Sequence, residues 1–432
     1  MTKPTTGFRY AQQFKCSGAD CPETCCFGWR INVPQGEYAT LHGHYGDTHR
    51  GNPCFEVMNY PEGTPQVVKD EGFAFLKMKG DGFCPFLEDG WCAIHRDLGE
   101  AFLPGVCATY PRYMVEGGAG DFLSGSLSCP EMARLCLLSE DGMVPVGIER
   151  DQLPPGLETS TQEPGKENWY QYFFPAVNGY LKWLLAQKEL RAADFALLAL
   201  DLAAEIQPFY HAGITENPAE QLDACVGRHA DPNRIVPRVS AFRARNEISG
   251  AAMAFVGGML LKGVKQQRSP RFRVIAQETM DRLPNLEVFY AARVPFVPLQ
   301  LGHLTDLLLE RREKVQARFG ERLTEMLGRF TLNFWTQKLY SDEAGLLRLW
   351  LKYALYYACL RFLSFNHPRF EAAATVADEA EAQAACDLAF VDMVQGFMRA
   401  FDHDTPLVGQ ILDQFPEQGL TTLLDLEGLL LY

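Results

Sequence analysis

The sequence predicts a mainly α protein in two parts: a small, irregular α+β cysteine-rich N-terminal domain over residues 1–140 and a larger all-α C-terminal domain over residues 168–432. Three observations carry this. Ten of the thirteen cysteines lie in the first 136 residues. Residues 141–167 hold Pro145, Pro154, Pro155 and Pro164 among several Ser, Thr and Glu with no helical period, as expected of a Pro-rich linker. Beyond Asn168, apolar residues recur at three- and four-residue spacing. A length of 432 residues also exceeds what one hydrophobic core usually organises.

The bulk composition narrows the function classes. Hydrophobic residues at 47% and aromatics at 12% are ordinary for a folded protein. A net charge of −14 without a basic stripe argues against nucleic acid as a partner. The opening MTKPTTGFRYAQQFKC has no apolar signal region. The most apolar stretch, Ala344 to Leu363, carries Arg348, Lys352 and Arg361, so no transmembrane segment is expected. These points predict a cytoplasmic protein, where thiols stay reduced and a dense cysteine set signals metal binding or catalysis instead of disulfides.

In chain order, Phe8 to Cys26 reads as loop and Trp29 to Val33 as a short strand. Residues 34–70, rich in Gly, Pro, His and Asn, give no periodic signal and are expected to be irregular. Phe73 to Lys79 precedes the Gly80-Asp81-Gly82 turn and CPFLEDGWCAIH, whose Glu88-Asp89-Gly90 reads as a hairpin loop. A three-residue loop places Cys84 and Cys92 on one face of the hairpin, and a two-residue loop places them on opposite faces. Shared ligation therefore predicts the longer loop.

A helical turn is expected from Asp97 to Leu103, then a hairpin around Glu116-Gly-Gly-Ala-Gly-Asp121, then a helix opened by Ser128 or Cys129 with Pro130 at its first position. The later helices are Trp169–Leu190, Ala192–Ile206, Arg238–Leu261, Leu299–Phe319, Leu346–Leu363 and Ala372–Phe401. Pro208, Pro218, Pro232, Pro237 and Pro284 are expected to separate them.

Among the cysteines, Cys225, Cys359 and Cys386 read as buried small hydrophobes, and Cys54 and Cys136 similarly. The other eight are candidate metal ligands: Cys16, Cys21, Cys25 and Cys26 in one tight group, then Cys84, Cys92, Cys107 and Cys129. Short spacers let a chain wrap a metal with convergent thiolates. Adjacent Cys25 and Cys26 diverge, so either one ligates while the other packs or each serves a different metal atom. No pair of C-x2-C knuckles is present, nor the C-x3-C-x2-C loop of radical enzymes, and spacing leaves iron–sulfur and zinc both open.

Four blocks occur in order: F-K-C-x4-C-x3-C-C-x-G-W-x-I, C-P-F-L-x3-G-x-C-x-I-H, L-G-x4-P-G-x-C-x2-Y-P-R and L-S-C-P-E-x-A-R, spanning Phe14 to Arg134. Together they resemble the flagellin lysine-N-methylase family. That resemblance implies an S-adenosylmethionine-dependent protein-lysine N-methyltransferase, flagellin as the protein substrate, and a [4Fe–4S] cluster in the cysteine-rich region. Part of the pattern also resembles broader zinc- or iron-chelating cysteine-cluster proteins. Two rival readings therefore stand: a non-catalytic zinc- or iron-binding module, and another iron–sulfur redox enzyme.

Lysine methylation needs a neutral amine aligned with the methyl carbon and sulfur. A Rossmann-type glycine loop for the cofactor is not evident, and Glu116–Asp121 reads as a hairpin turn. Around the thiols, Arg112 is a candidate to steady thiolate charge or to form an ion pair. Trp29 is a candidate lid. Tyr110 and Tyr113 are candidates to line a lysine channel or to pack in the core, His95 to ligate or hydrogen-bond a sulfur or to be a satisfied structural histidine, and His42, His44 and His49 are expected to be solvated.

Overall fold

A computed structural model describes residues 5–117, 120–154, 157, 159–160, 170–212, 218–245, 247–248, 250–265, 269–283, 298–338, 345–416 and 422–431. The chain is mainly α with a small α+β N-terminal part, and it divides into two compact units, Met1–Ser160 and Thr161–Tyr432.

The N-terminal unit is built on a five-stranded sheet. Its strands are β1 (Thr5–Phe8), β9 (Arg112–Gly117), β10 (Gly120–Gly125), β11 (Pro145–Gly147) and β12 (Thr159–Ser160), in the order β11-β1-β10-β9-β12. The expected second hairpin is β9–β10, paired from Gly117 opposite Gly120 to Arg112 opposite Gly125. Gly118 and Ala119 between them lie outside the described residues. Two pieces of the Pro-rich stretch join the sheet, β11 antiparallel to β1 and β12 parallel to β9. Both lie at the sheet edges, where proline costs no ladder bond.

A second, three-stranded sheet orders β2 (Asn32–Val33), β6 (Ala74–Leu76) and β5 (Phe55–Val57), and β3 (Thr48–His49) pairs with β4 (Asn52–Pro53). Residues 34–70 are thus more ordered than their composition predicts: they also form α2 (Gln35–Tyr45) and α3 (Gln66–Glu71), after α1 (Arg9–Gln12). The helix signal is weak because α2 buries only Leu41. The histidines expected to be solvated are engaged: His42 contacts Asp47 at 3.0 Å, and His49 reaches the buried Glu88 at 2.5 Å. Arg50 and Arg96 meet the same carboxylate at 2.7 and 2.9 Å. Two guanidinium groups and an imidazole hydrogen bond explain how a carboxylate stays buried.

The core of this unit gathers Ile31, Val33, Leu41, Ala74, Leu76, Phe86 and Ile94, with Cys54 and Cys84 buried among them and Cys26, Cys92 and Cys107 packed against them.

The C-terminal unit is helical: α7 (Tyr170–Leu185), α8 (Ala192–Ala212), α9 (Pro218–His229), α10 (Pro232–Arg243), α11 (Gly250–Val264), α12 (Pro270–Met280), α13 (Pro298–Lys338), α14 (Leu346–Asn366), α15 (Pro368–Thr375), α16 (Glu379–Phe401), α17 (Thr405–Leu412) and α18 (Leu423–Leu431). Helix α14 lies at the centre, against α8, α11, α13, α15, α16 and α18. Seventeen of its 21 residues are buried, so apolar and aromatic side chains appear on most of its faces. Trp350 is fully buried there and its indole N–H donates to the Ala196 carbonyl at 2.6 Å.

Several helix boundaries differ from the periodic reading. Arg238–Leu261 divides into α10 and α11, and Ala372–Phe401 into α15 and α16, where the Asp378 carboxylate caps the Glu381 N–H. Helix α13 runs 41 residues, well past Phe319. Pro218 and Pro232 open helices, but Pro208 and Pro237 lie inside α8 and α10. A proline removes one helical bond and tertiary packing can offset that cost. Pro155, Pro164, Pro284 and residues 161–169 lie outside the described residues. Among the described residues, no helix is long and apolar enough to cross a membrane.

Candidate metal centre

The eight candidate cysteines line one cavity of about 350 Å³ in the N-terminal unit. Four pieces of local structure bring them there. The first is a short antiparallel bridge: Cys84 N–H donates to the Cys26 carbonyl at 2.9 Å and Gly28 N–H to the Gly82 carbonyl at 3.0 Å. Phe27 and Phe83 pack beside it with tilted rings whose centroids are 4.9 Å apart.

The second is the hairpin β7 (Leu87–Glu88) and β8 (Trp91–Cys92). Leu87 pairs with Cys92 and Glu88 with Trp91, so the loop has two residues, Asp89 and Gly90, with φ of 49° and 82°. This corrects the expected three-residue loop. Positive φ at both loop residues marks the tight turn that Asp-Gly favours. Cys84 and Cys92 still share the cavity because Cys84 precedes the strand: Leu87 N–H donates to the Cys84 carbonyl at 3.1 Å, and this turn takes Cys84 out of the alternation.

The third piece seats the Cys16–Cys26 loop on that hairpin. A Cβ on Gly18 would lie 2.4 Å from the Trp91 ring, and one on Gly90 would lie 2.8 Å from the Ala19 backbone. The fourth is a set of short helices. Cys92 opens α4 (Ala93–Leu98), Cys107 lies in α5 (Gly105–Thr109), and Cys129 opens α6 (Pro130–Leu138). The expected turn from Asp97 to Leu103 is instead the end of α4 plus a 3-10 turn, Glu100–Phe102, and Pro104 precedes α5. Cys129 takes the cap position with Pro130 first in the helix, one of the two openings foreseen.

Cys84 and Cys129 are buried, Cys16 is exposed, and the other five are partly buried. Burial raises the Cys84 thiol to about 12, opposed by the Phe86 N–H and reinforced by the charges of Cys92 and Cys25. Burial likewise takes Cys129 to about 12 against the N–H groups of Met132 and Glu131. Cys92 is raised by burial, with the His95 and Ile94 N–H groups opposing. Cys107 is raised by burial, and Cys26 chiefly by its hydrogen bond to Cys25. Cys25 acts on Cys26, Cys84, Cys92, Cys107 and Cys129, so it is the electrostatic hub. Without a cation beside them such sulfurs are thiols. A metal ion is what converts several crowded thiols to thiolates together, and an all-sulfur donor set suits iron–sulfur or zinc.

A single ion sets a stricter spacing than a cluster does. A single tetrahedral zinc with Zn–S bonds of about 2.3 Å needs sulfurs about 3.8 Å apart. Among the described residues, no three of these cysteines bring their sulfurs within 4.8 Å of one another.

The rest of the wall includes Trp29, Trp91, Tyr110, Arg112, His95 and the carboxylates Glu23, Glu100 and Glu131. Trp29 Nε1 donates to the Cys25 carbonyl at 2.5 Å, and its ring lies 5.7 Å from Tyr110. Arg112 sits 5.2 Å from the Phe14 ring centre, and burial lowers its pKa while Glu100 and Cys16 pull it back up. Tyr110 bonds Ser128 at 2.9 Å. Tyr113 lies in β9 and is not part of this wall.

Cys359 and Cys386 are buried in α14 and α16, as expected of packing cysteines. Cys136 is buried 3.7 Å from the Met143 sulfur. Cys225 was expected only to pack, yet its sulfur joins Glu205 and His229 with ligand atoms within 4.8 Å of one another. Its Cys-x3-His spacing on α9 carried the signal. Arg228 and Arg234 occupy the same carboxylate at 2.5 and 3.6 Å, so the group is an ion-pair network.

The chain is similar to lysine-N-methylases. The one from Salmonella typhimurium is 24% identical over 148 residues, covering 31% of this chain and 32% of its own length, and the one from Salmonella choleraesuis is 23% identical over the same length. A flagellar biosynthetic protein, FliU of Salmonella muenchen, is 24% identical over 148 residues, which cover 77% of it. The match thus spans about a third of each lysine-N-methylase. No known family profile and no solved structure matches the chain.

Proposed function

We propose that this protein is an S-adenosylmethionine-dependent protein-lysine N-methyltransferase acting on flagellin, and that the N-terminal cysteines hold a [4Fe–4S] cluster on which it depends. One observation carries the reading: all eight cysteines of four separated blocks share one cavity, in a chain similar to two lysine-N-methylases. Eight sulfurs in one wall, more than one tetrahedral ion needs, favour a polynuclear group. A bound cluster would supply an iron able to take the amino and carboxylate groups of S-adenosylmethionine.

The chain's own residues supply the rest. The faces of Trp29, Trp91 and Tyr110 attract cations, and both a sulfonium and a lysine ammonium are cations. Exclusion of water from the cavity lowers the lysine pKa against the pull of those rings, and Glu23 and Glu100 line the wall as acceptors for its proton. The freed lone pair attacks the methyl carbon while the C–S bond breaks with its electrons going to sulfur, which leaves S-adenosylhomocysteine.

The test is anaerobic iron and sulfide analysis together with transfer of labelled methyl groups from S-adenosylmethionine to flagellin. About four irons and four sulfides per chain, with transfer lost on Cys25→Ala, supports the whole reading. Transfer by a protein holding only zinc keeps the activity and removes the cluster. A loaded protein that transfers nothing is a non-catalytic cluster protein or another iron–sulfur enzyme. A non-catalytic role draws on one specific observation: Gly117 and Gly120 end two antiparallel strands, so this glycine stretch is no nucleotide loop.

A further inference from the structure

A cavity of about 220 Å³ in the C-terminal unit is walled by Arg191, Arg243, Arg245, Arg312 and Arg361, and among the described residues no Asp or Glu lines it. Three of the five guanidinium groups meet carboxylates that lie outside this wall. Arg191 and Arg243 share one fully buried carboxylate, Asp194, at 3.2 and 2.6 Å. Arg245 meets Glu427 at 2.7 Å, but Glu427 also serves Arg238 at 2.5 Å. Arg245 also contacts Glu247, which is 58% exposed. Arg312 donates to the Leu431 carbonyl at 3.1 Å.

Arg361 carries the point furthest. It donates to the Tyr357 hydroxyl at 3.0 Å and lies 5.6 Å from the ring centres of Tyr357 and Phe365. Its Nε is buried without a hydrogen-bond partner. A guanidinium held on two rings with a donor unsatisfied is costly unless an acceptor arrives from solution. Helices α8, α10, α13, α14 and α18 contribute to this wall or flank it, so the cavity is a product of the fold and not of one loop.

We propose that this cavity binds a small multiply charged oxyanion of the phosphate class: inorganic phosphate, pyrophosphate or a small phosphorylated metabolite. Forked N–H donors match phosphate oxygens two at a time. The volume falls below the roughly 300–1,000 Å³ of sites for larger organic ligands, which makes the ligand compact. The proposal does not rest on the methyltransferase reading.

The test is calorimetric titration of the full chain with phosphate, pyrophosphate and AMP, against chloride at matched ionic strength. Saturable binding of phosphate and pyrophosphate is expected, pyrophosphate more tightly. Arg361→Gln should weaken it about tenfold, the loss of one charge-assisted contact. Gly320→Met should abolish it while leaving the charges in place, since a Cβ there meets nothing nearer than Gln316 Cγ at 3.4 Å and the side chain fills the cavity. Either variant decides if the other melts early. Binding no stronger than that of chloride, or unchanged in both variants, overturns the site. Tighter binding of AMP than of pyrophosphate overturns the compact ligand.

Discussion

The Cys84 N–H donates to the Cys26 carbonyl at 2.9 Å, so two cysteine blocks far apart in sequence are fastened main chain to main chain. The bond does not involve either sulfur. Substituting a thiol therefore removes a proposed ligand and leaves the scaffold bond in place.

Cys26→Ala and Cys84→Ala should each lower the metal bound per chain by at least half, measured by elemental analysis of anaerobically purified protein. Cys359→Ala, fully buried in α14, should leave metal content unchanged and cost about 1–2 kcal/mol in urea unfolding, as for a small core truncation. Equal metal loss in all three variants would mean that the cavity thiols are not ligands.

Gly18 holds φ of +55° with the Trp91 ring where a Cβ would sit. Gly18→Ala should destabilise the N-terminal unit by about 1–3 kcal/mol from strain and overlap. Trp91→Ala in the same chain should recover part of that loss, because the two residues are in contact. Urea unfolding of the single and double variants reads the coupling, and strict additivity would show that the loop does not rest on the indole.

Removing bound metal should loosen the N-terminal unit first. Cys26, Cys84, Cys92 and Cys107 pack into its core, whereas the core of the C-terminal unit holds no candidate ligand. Hydrogen exchange before and after chelation should show faster exchange across residues 16–129 and unchanged protection in α14 and α16. Uniform loss of protection would show that the two units unfold as one.

Acid should weaken the C-terminal unit through His367. Burial lowers its pKa to about 4, against the upward pull of Glu278. Its Nδ1 accepts the Arg369 N–H at 3.3 Å at the start of α15. The folded value lies below the unfolded value of about 6.5, so the folded state binds fewer protons between them. This contribution is complete above pH 6.5 and is lost as pH falls towards 4. His367→Asn keeps a cap and removes the titration. Its stability should fall less steeply than wild type over that window in urea melts, and parallel curves would exclude the histidine.

Much of this was legible from residue types. Cysteine density marked the cavity, proline and glycine marked β9–β10 and α6, and the apolar period marked α8 and α14. What escaped depended on tertiary packing. Helix α2 buries one residue, so it carries no stripe to read. The turn at Cys84 breaks the alternation on which the loop-length argument rested. The arginine-walled cavity draws residues from separate helices at no fixed spacing, and Cys225 looked like a lone thiol because Glu205 reaches it from another helix.

The cysteines of the cavity wall run from Cys16 to Cys129, and that span sets an order of events during synthesis. At about 5–20 residues per second, the first four thiols leave the ribosome several seconds before the last one. Throughout that interval a partial ligand set is open to oxidants and to the wrong ions. Cells making this protein under oxygen should therefore accumulate a mismetallated fraction that grows as translation slows, even when the finished fold is stable.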